Sequence, residues 1–242
     1  MRYRSIVILT GAGVSAESGL STFRDKDGLW LQVDIEAVAS IQGYLRNPQK
    51  VLDFYNTRRR GLAAVAPNAA HHALADLHAV MTAAGADVTL ITQNVDDLHE
   101  RGGATNVLHM HGELLKQRCE ACGAVRPCSE DLTIATVCRD CGGSGRVRPH
   151  IVWFGEMPFE IDRISTELLN ADLFVAIGTS GAVYPAAGFV AQAHMVGVKT
   201  LELNLAPSDV ADLFDEARYG PASVIVPQWV DEVLRDAYAR PI

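Results

Sequence analysis

The sequence predicts an α/β fold, a parallel sheet with helices on both faces, and three observations point to it. Short apolar runs suited to buried strands alternate with helical stretches along most of the chain. A glycine turn, Gly11-Ala12-Gly13, follows the first of these runs directly. Polar residues, Gln93, Asn94, Asp96 and Asp97, gather where another run stops, at the strand edge where open α/β sheets keep their ligands.

Taken in order, residues 5–9 form the first strand, and a helix is expected over 68–84, opened by Pro67 and Asn68 and stopped by Gly85. Residues 88–91 are the next strand, and apolar character returns at Val107 and Leu108 in a strand that carries His109 and His111. Strands follow at 173–177, 200–203 and 224–226, with helices over 185–195 and 227–238. Two regions interrupt this alternation. Residues 28–66 carry a helical pattern around 48–60 without a sheet strand, and residues 118–148 are rich in Cys, Gly and polar side chains. Both are expected to be inserts, which leaves 1–27, 67–117 and 149–242 as the main domain.

A chain of 242 residues with 48% hydrophobic content has enough apolar material for a sizeable core. The net charge of −8 argues against a general nucleic-acid or membrane surface. Apolar runs are short and broken by Gly, Pro or charge, and the first strand starts near Ser5, which leaves no room for a signal peptide. The expected location is the cytoplasm, with no membrane association. Five cysteines, four of them in two C-x-x-C pairs, suit a metal site in a reducing compartment better than a disulfide scaffold. Cys128 is left over as a lone thiol.

Glycines at a strand-to-helix turn let backbone N–H groups approach a pyrophosphate. Asp34, 21 residues beyond Gly13, sits where a dehydrogenase would place its ribose-binding acid. Gly19, Gly28 and Phe23-Arg24-Asp25 break the helix that such a crossover needs, so that reading is set aside. Cys119 and Cys122 are followed, after fifteen residues, by Cys138 and Cys141. Two knuckles at this separation close a tetrahedral thiolate cage that suits one structural zinc ion. The intervening segment has few apolar residues, so metal binding supplies much of its folding free energy. His109 and His111, two apart on a strand, share a face. His111 precedes Gly112 at the carboxyl edge, where a neutral imidazole is placed to take a hydroxyl proton.

Six ordered motifs together resemble the sirtuins: Gly11-Ala12-Gly13-Val14-Ser15-Ala16-Glu17-Ser18-Gly19 with Thr22-Phe23-Arg24; Thr92-Gln93-Asn94-Val95-Asp96-Asp97-Leu98-His99; His111-Gly112-Glu113; the four cysteines; Arg148 through Glu156; and Gly178-Thr179-Ser180. The resemblance runs nearly end to end, with Ser21 where many members have proline. It implies a Rossmann-like domain under a small lobe, made of a helical insert (28–66) and a zinc-binding insert (118–148). It also implies NAD-dependent protein lysine deacylation, in which the acyl oxygen of a modified lysine attacks C1′ of the nicotinamide ribose. Nicotinamide leaves, and the acyl group ends on ADP-ribose.

By this resemblance His111 is the base, with Asn94 beside it in the catalytic set. The cofactor-binding residues it implies in the first segment are Gly11, Ala12, Gly13, Ser15, Glu17, Ser18, Gly19, Thr22, Phe23, Arg24 and Trp30. Gln93, Asn94, Val95 and Asp96 follow, then Gly178, Thr179, Ser180, Asn204, Leu205, Ala206 and Ala222 toward the adenosine end. An acylated-lysine peptide is expected to add as a strand between Val152, Phe154, Gly155 and Glu156 on one side and Gly181 and Val183 on the other. Tyr55 and Arg58 fall three apart on the helix of the first insert, hence on one face, where a phenol and a guanidinium bind a carboxylate together. In the branch of sirtuins that this chain resembles, a Tyr-x-x-Arg pair selects succinyl and malonyl groups. The competing reading of Arg58-Arg59-Arg60 is a solvated basic run. Mono-ADP-ribosyl transfer and non-enzymatic NAD sensing remain the alternative functions.

Overall fold

The computed structural model describes residues 2–21 and 34–238. In chain order the strands are β1 (Ser5–Thr10), β2 (Asp87–Thr92), β3 (Leu108–His109), β4 (Gly112–Cys119), β5 (Val125–Pro127), β6 (Val147–Ile151), β7 (Leu173–Ile177), β8 (Lys199–Asn204) and β9 (Glu216–Tyr219). The helices are α1 (Gly13–Ala16), α2 (Ile35–Val38), α3 (Ile41–Arg46), α4 (Pro48–Leu62), α5 (Ala69–Ala83), α6 (Leu98–Arg101), α7 (Ile161–Leu169), α8 (Phe189–Met195) and α9 (Ala222–Tyr238). None among the described residues is long and apolar enough to cross a membrane.

Six strands form one parallel sheet in the order β3-β2-β1-β7-β8-β9. The central strand β1 is buried on both faces because alternate residues feed two separate cores. Ile6 and Ile8 pack with Leu74, Leu77, Trp229 and Val230 of α5 and α9, whereas Val7 and Leu9 pack with Ile164, Phe189 and Val190 of α7 and α8. Helix α5 begins where its start signal predicts: the Asn68 side chain caps the Ala70 N–H while the His71 ring accepts from the Asn68 N–H.

Two expected strand features differ. Residues 224–226 are helical, within the first two turns of α9, and the last strand is β9 instead. The triplet Val224-Ile225-Val226 has strand composition, yet Ile225, Val226, Trp229 and Val230 are buried together, the spacing of one helical face. The Glu17 carboxylate accepts from the Ser223 N–H and hydroxyl and so holds the first turn of that helix. Strand β9 lies at the sheet edge and is mostly exposed, so it carries no apolar run to read. The third strand also stops early, at His109 rather than His111. Gly112 takes φ 83°, and a Cβ there would sit 2.0 Å from the His150 carbonyl oxygen, so only glycine lets the chain leave the sheet at this point.

The second sheet is antiparallel, in the order β5-β4-β6, and its strands reach past both ends of the 118–148 segment. It shares cores with the helical insert. Tyr55 and Val51 of α4 pack with Leu114, Ile151 and Trp153, and Leu52 packs with Cys119, Cys128, Cys138 and Val147.

Candidate active site and metal centre

The strand order reverses between β1 and β7, and at such a switch point the loops beyond the carboxyl ends diverge to leave a crevice. The order is that of the dinucleotide-binding fold, two half-sheets spreading from one central pair. At this point Gly13 N–H donates to the Gly178 carbonyl over 2.8 Å. A Cβ on Gly13 would lie 2.7 Å from the Gly178 Cα, and one on Gly178 would lie 2.5 Å from the Val14 nitrogen. The glycines therefore let two loops touch backbone to backbone, and the Gly11–Gly13 turn is held open-edged above the sheet. These residues fit a dinucleotide: glycine backbone at the turn, buried hydrogen-bonding groups beneath it, and amides on the neighbouring strand ends.

Beneath the turn lies a buried polar network. Ser15 Oγ donates to Asp96 Oδ2 over 3.2 Å and accepts from Asn94 Nδ2 over 3.1 Å. His71 Nδ1 accepts from the Asn68 N–H, so the proton of the neutral ring sits on Nε2 and points at Ser15 Oγ, 3.3 Å away. Burial lowers the His71 pKa to about 4 and raises that of Asp96. Thr10 Oγ1 joins Thr92 Oγ1 and His99 Nε2 in the same layer. His71, not among the residues the sequence motifs imply, here touches the predicted site residue Ser15. The signal was its place three residues after the Asn68 cap.

His111 and His109 are separated by their partners. His109 Nε2 is 2.6 Å from Glu100 Oε1. His111 Nδ1 donates to the Gln93 carbonyl over 3.1 Å, which leaves Nε2 as the lone-pair nitrogen, bonded to nothing among the described residues. Burial lowers the His111 pKa, opposed by the Gln93 carbonyl. Gln93 Nε2 reaches Thr179 Oγ1, and Asn204 Nδ2 reaches the Thr179 carbonyl, so the β2, β7 and β8 ends are tied together.

The remaining predicted residues fall as follows. Val95 lies against the small-lobe core and its carbonyl accepts from Leu114 N–H. Ser18 Oγ accepts from Asn68 Nδ2, Gly19 has φ 94°, and Glu17 spends its carboxylate on Ser223, beside Ala222. Ser180 is half-buried at the β7 end, whereas Leu205 and Ala206 are exposed just after β8. Thr22, Phe23, Arg24 and Trp30 lie outside the described residues. Glu202 and Ser208 escaped the sequence reading: Glu202 is buried and accepts from the Ser208 N–H, Asn204 Nδ2 and the Tyr219 hydroxyl. An acid inside a strand run gives no outward sign of such a role.

Along the expected peptide path, Val152 N–H donates to the His111 carbonyl and Phe154 N–H to the Ala39 carbonyl. The Phe154 side chain and Gly155 are exposed, and Gly181 and Val183 follow the β7 end. The Glu156 side chain turns inward, accepting from Arg148, Arg118 and the Trp153 N–H. These bonds outweigh burial and hold its pKa below the usual range. Its carboxylate is thus committed to the protein itself.

The three arginines of α4 have three environments. Arg59 is buried, bonded to the Leu114 and Glu130 carbonyls and Asn56 Oδ1. Arg60 pairs with Asp131 at the surface. Arg58 is half-buried, its guanidinium 5.6 Å from the Phe54 ring centroid and within electrostatic reach of Tyr55 and Asp96. The Tyr55 hydroxyl accepts from Trp153 Nε1 over 3.0 Å, and burial pushes its pKa up to about 12. The solvated-run reading therefore holds only for Arg60.

The Sγ atoms of Cys119, Cys122, Cys138 and Cys141 lie within 4.8 Å of one another, with Cys119–Cys141 and Cys122–Cys138 at 3.8 Å. Tetrahedral zinc with Zn–S of about 2.3 Å requires S···S separations of about 3.8 Å, so the four thiols fit one ion with no position left for water. Backbone N–H groups of Cys122 and Ala121 lower the Cys119 pKa and so favour its thiolate. Cys128 stays outside this cluster, its Sγ turned to the Glu130 carbonyl.

A model of the Sir2 family matches residues 11–185. A relative from Leishmania major, named an NAD-dependent protein deacylase, is 57% identical over 241 residues, covering 98% of each chain. One of the same name from Caulobacter vibrioides is 56% identical over 229 residues, 95% of this chain and 96% of its own. A solved mutant Sir2 homologue in complex with 2′-O-acetyl ADP ribose superposes with a TM-score of 0.86 at 36% identity, covering 98% of this chain and 94% of that one. With its switch-point crevice, oriented histidine and four-thiol cage in place, this chain belongs to the Sir2 family.

Proposed function

We propose that the protein is an NAD-dependent protein-lysine deacylase that moves an acyl group from lysine to ADP-ribose, releases nicotinamide, and accepts succinyl and malonyl as well as acetyl groups. The observation that carries this reading is the tautomer of His111: its Nδ1–H is spent on the Gln93 carbonyl, so Nε2 is a neutral acceptor at the switch-point crevice. Bound NAD supplies a ribose C1′ with a good leaving group. The chain's own residues do the rest. The Gly11–Gly13 turn offers close backbone approach to the phosphates, Asn94 and Gln93 lie on the strand edge where ribose hydroxyls would be held, and His111 Nε2 takes a hydroxyl proton. Relatives named deacylases over nearly the full chain support the same reaction. Tyr55 and Arg58 support the acidic-acyl branch, since an acyl carboxylate is met there by a neutral phenol and a guanidinium. A reducing cytoplasmic setting agrees with the four thiols of the cage.

The test is to incubate the protein with NAD and matched acetyl-, succinyl- and malonyl-lysine peptides and to identify products by mass spectrometry. Acyl-ADP-ribose and free nicotinamide are expected, and His111→Ala should lower kcat by roughly 10²- to 10⁴-fold, the usual worth of a general base. ADP-ribose left on protein side chains would make it a mono-ADP-ribosyltransferase, and undiminished turnover by His111→Ala would overturn the assigned base.

A further inference from the structure

The acyl-reading pair has a second layer. Indole nitrogen is a donor only, so at 3.0 Å Trp153 Nε1–H donates to Tyr55 Oη, and Tyr55 is the acceptor. A phenol oxygen carries its hydrogen near the ring plane, and with one in-plane direction taken by the indole hydrogen the hydroxyl hydrogen is left for the other. That hydrogen has no acceptor among the described residues. The phenol is buried, and Arg58, which lies within electrostatic reach of Tyr55, brings only further donors. Tyr55 therefore offers an O–H in want of an acceptor, which an acidic acyl chain has and an acetyl methyl lacks.

The indole is itself packed between two further groups. The Arg148 guanidinium lies 3.4 Å from its ring centroid, and the Tyr44 ring is at 5.0 Å. Arg148 is in turn locked by two bonds to Glu156, of 2.9 and 2.7 Å, and Glu156 also accepts from the Trp153 N–H over 2.8 Å. Resting on the reading that Tyr55 and Arg58 receive the acyl carboxylate, we infer that Trp153 is a positioning residue for acyl selection, fixing through its Nε1–H the direction in which Tyr55 donates. Glu156 and Arg148 hold the indole in that pose.

The experiment replaces Trp153 with 3-benzothienylalanine, which keeps the ring shape and puts sulfur in place of N–H, and separately makes Trp153→Phe. The measurement is the ratio of kcat/KM for succinyl-lysine to that for acetyl-lysine peptide. One lost orienting hydrogen bond should lower this ratio about tenfold in the benzothienyl protein. In a Tyr55→Phe background the same replacement should change the ratio no further, because the indole then has no hydroxyl to orient. Equal losses on both peptides would leave the ratio unchanged and make Trp153 a structural residue only. An equal fall in the Tyr55→Phe background would also overturn the inference. If Arg58→Met collapses the ratio while the Trp153 replacements do not, this inference fails alone. If Arg58→Met leaves the ratio unchanged, the acidic-acyl reading fails and takes the inference with it.

Discussion

His111 gives its Nδ1 proton to a backbone carbonyl that no side-chain substitution removes, and burial keeps the ring neutral below the ordinary imidazole range. A base must be unprotonated, so the acid limb of kcat/KM against pH should fall below pH 6.5, the ordinary histidine value. A limb at or above that value would show that another group controls the profile. His71 bears on stability instead. Its folded pKa is about 4 against an ordinary 6.5, so between these values the unfolded chain binds a proton that the folded chain refuses. Stability contributed by the neutral ring is thus present above pH 6.5 and is lost as pH falls toward 4, by about 3 kcal/mol in full. Urea unfolding at stepped pH across this window should show a steeper decline in the wild type than in His71→Gln, which cannot titrate. At this scale the sequence conveyed residue type and motif order but not state. Nothing in the letters distinguishes the tautomer of His71, or shows that Glu156 turns inward to two arginines.

Helix α4 shows how an element sorts a run that reads as uniform. Successive residues on a helix point about 100° apart, so Arg58, Arg59 and Arg60 cannot share one face. Arg59 faces the ribbon, where its guanidinium serves two carbonyls and Asn56 at 3% exposure; Arg60 faces solvent beside Asp131. Arg59→Ala leaves buried acceptors without donors and should destabilise by about 3 kcal/mol, whereas Arg60→Ala removes an exposed pair worth below about 1 kcal/mol. Chemical denaturation of the two variants measures the contrast, and equal losses would contradict the burial assigned to Arg59. Periodicity made β1, β2, β7, β8 and α5 legible because each has a fully apolar face or a cap such as Asn68. It failed at α9, where Val224-Ile225-Val226 carries strand composition on a helical face, and at β9, which is too exposed to leave a pattern.

The whole molecule assembles its site from residues far apart in the chain. The 11–15 turn, the 93–96 edge, His111 and the 178–180 loop meet only because the strand order reverses between β1 and β7, a fact of topology that no local window contains. The cysteines were the opposite case, since paired spacing alone specifies a cage. That cage also supports the site. Strand β4 begins at Gly112, next to His111, and ends at Cys119, and β6 runs from Val147 back toward Trp153, so the sheet that carries Cys119 also borders His111 and the core around Tyr55. Around the four thiols the apolar core is small, with Leu52, Leu132 and Val147 as its aliphatic members. A metal held there would supply much of the folding free energy of this segment, and its removal should melt the segment locally. Elemental analysis should find one zinc per chain. After chelation, limited proteolysis should cut first within 120–146, while far-ultraviolet circular dichroism should retain the helices that flank the parallel sheet, which has its own cores on both faces. Deacylation should fall along with this cleavage and return on adding zinc. Proteolysis unchanged by chelation would mean that the ribbon stands on its packing alone, and a global loss of helix would mean that the two sheets fold as one unit.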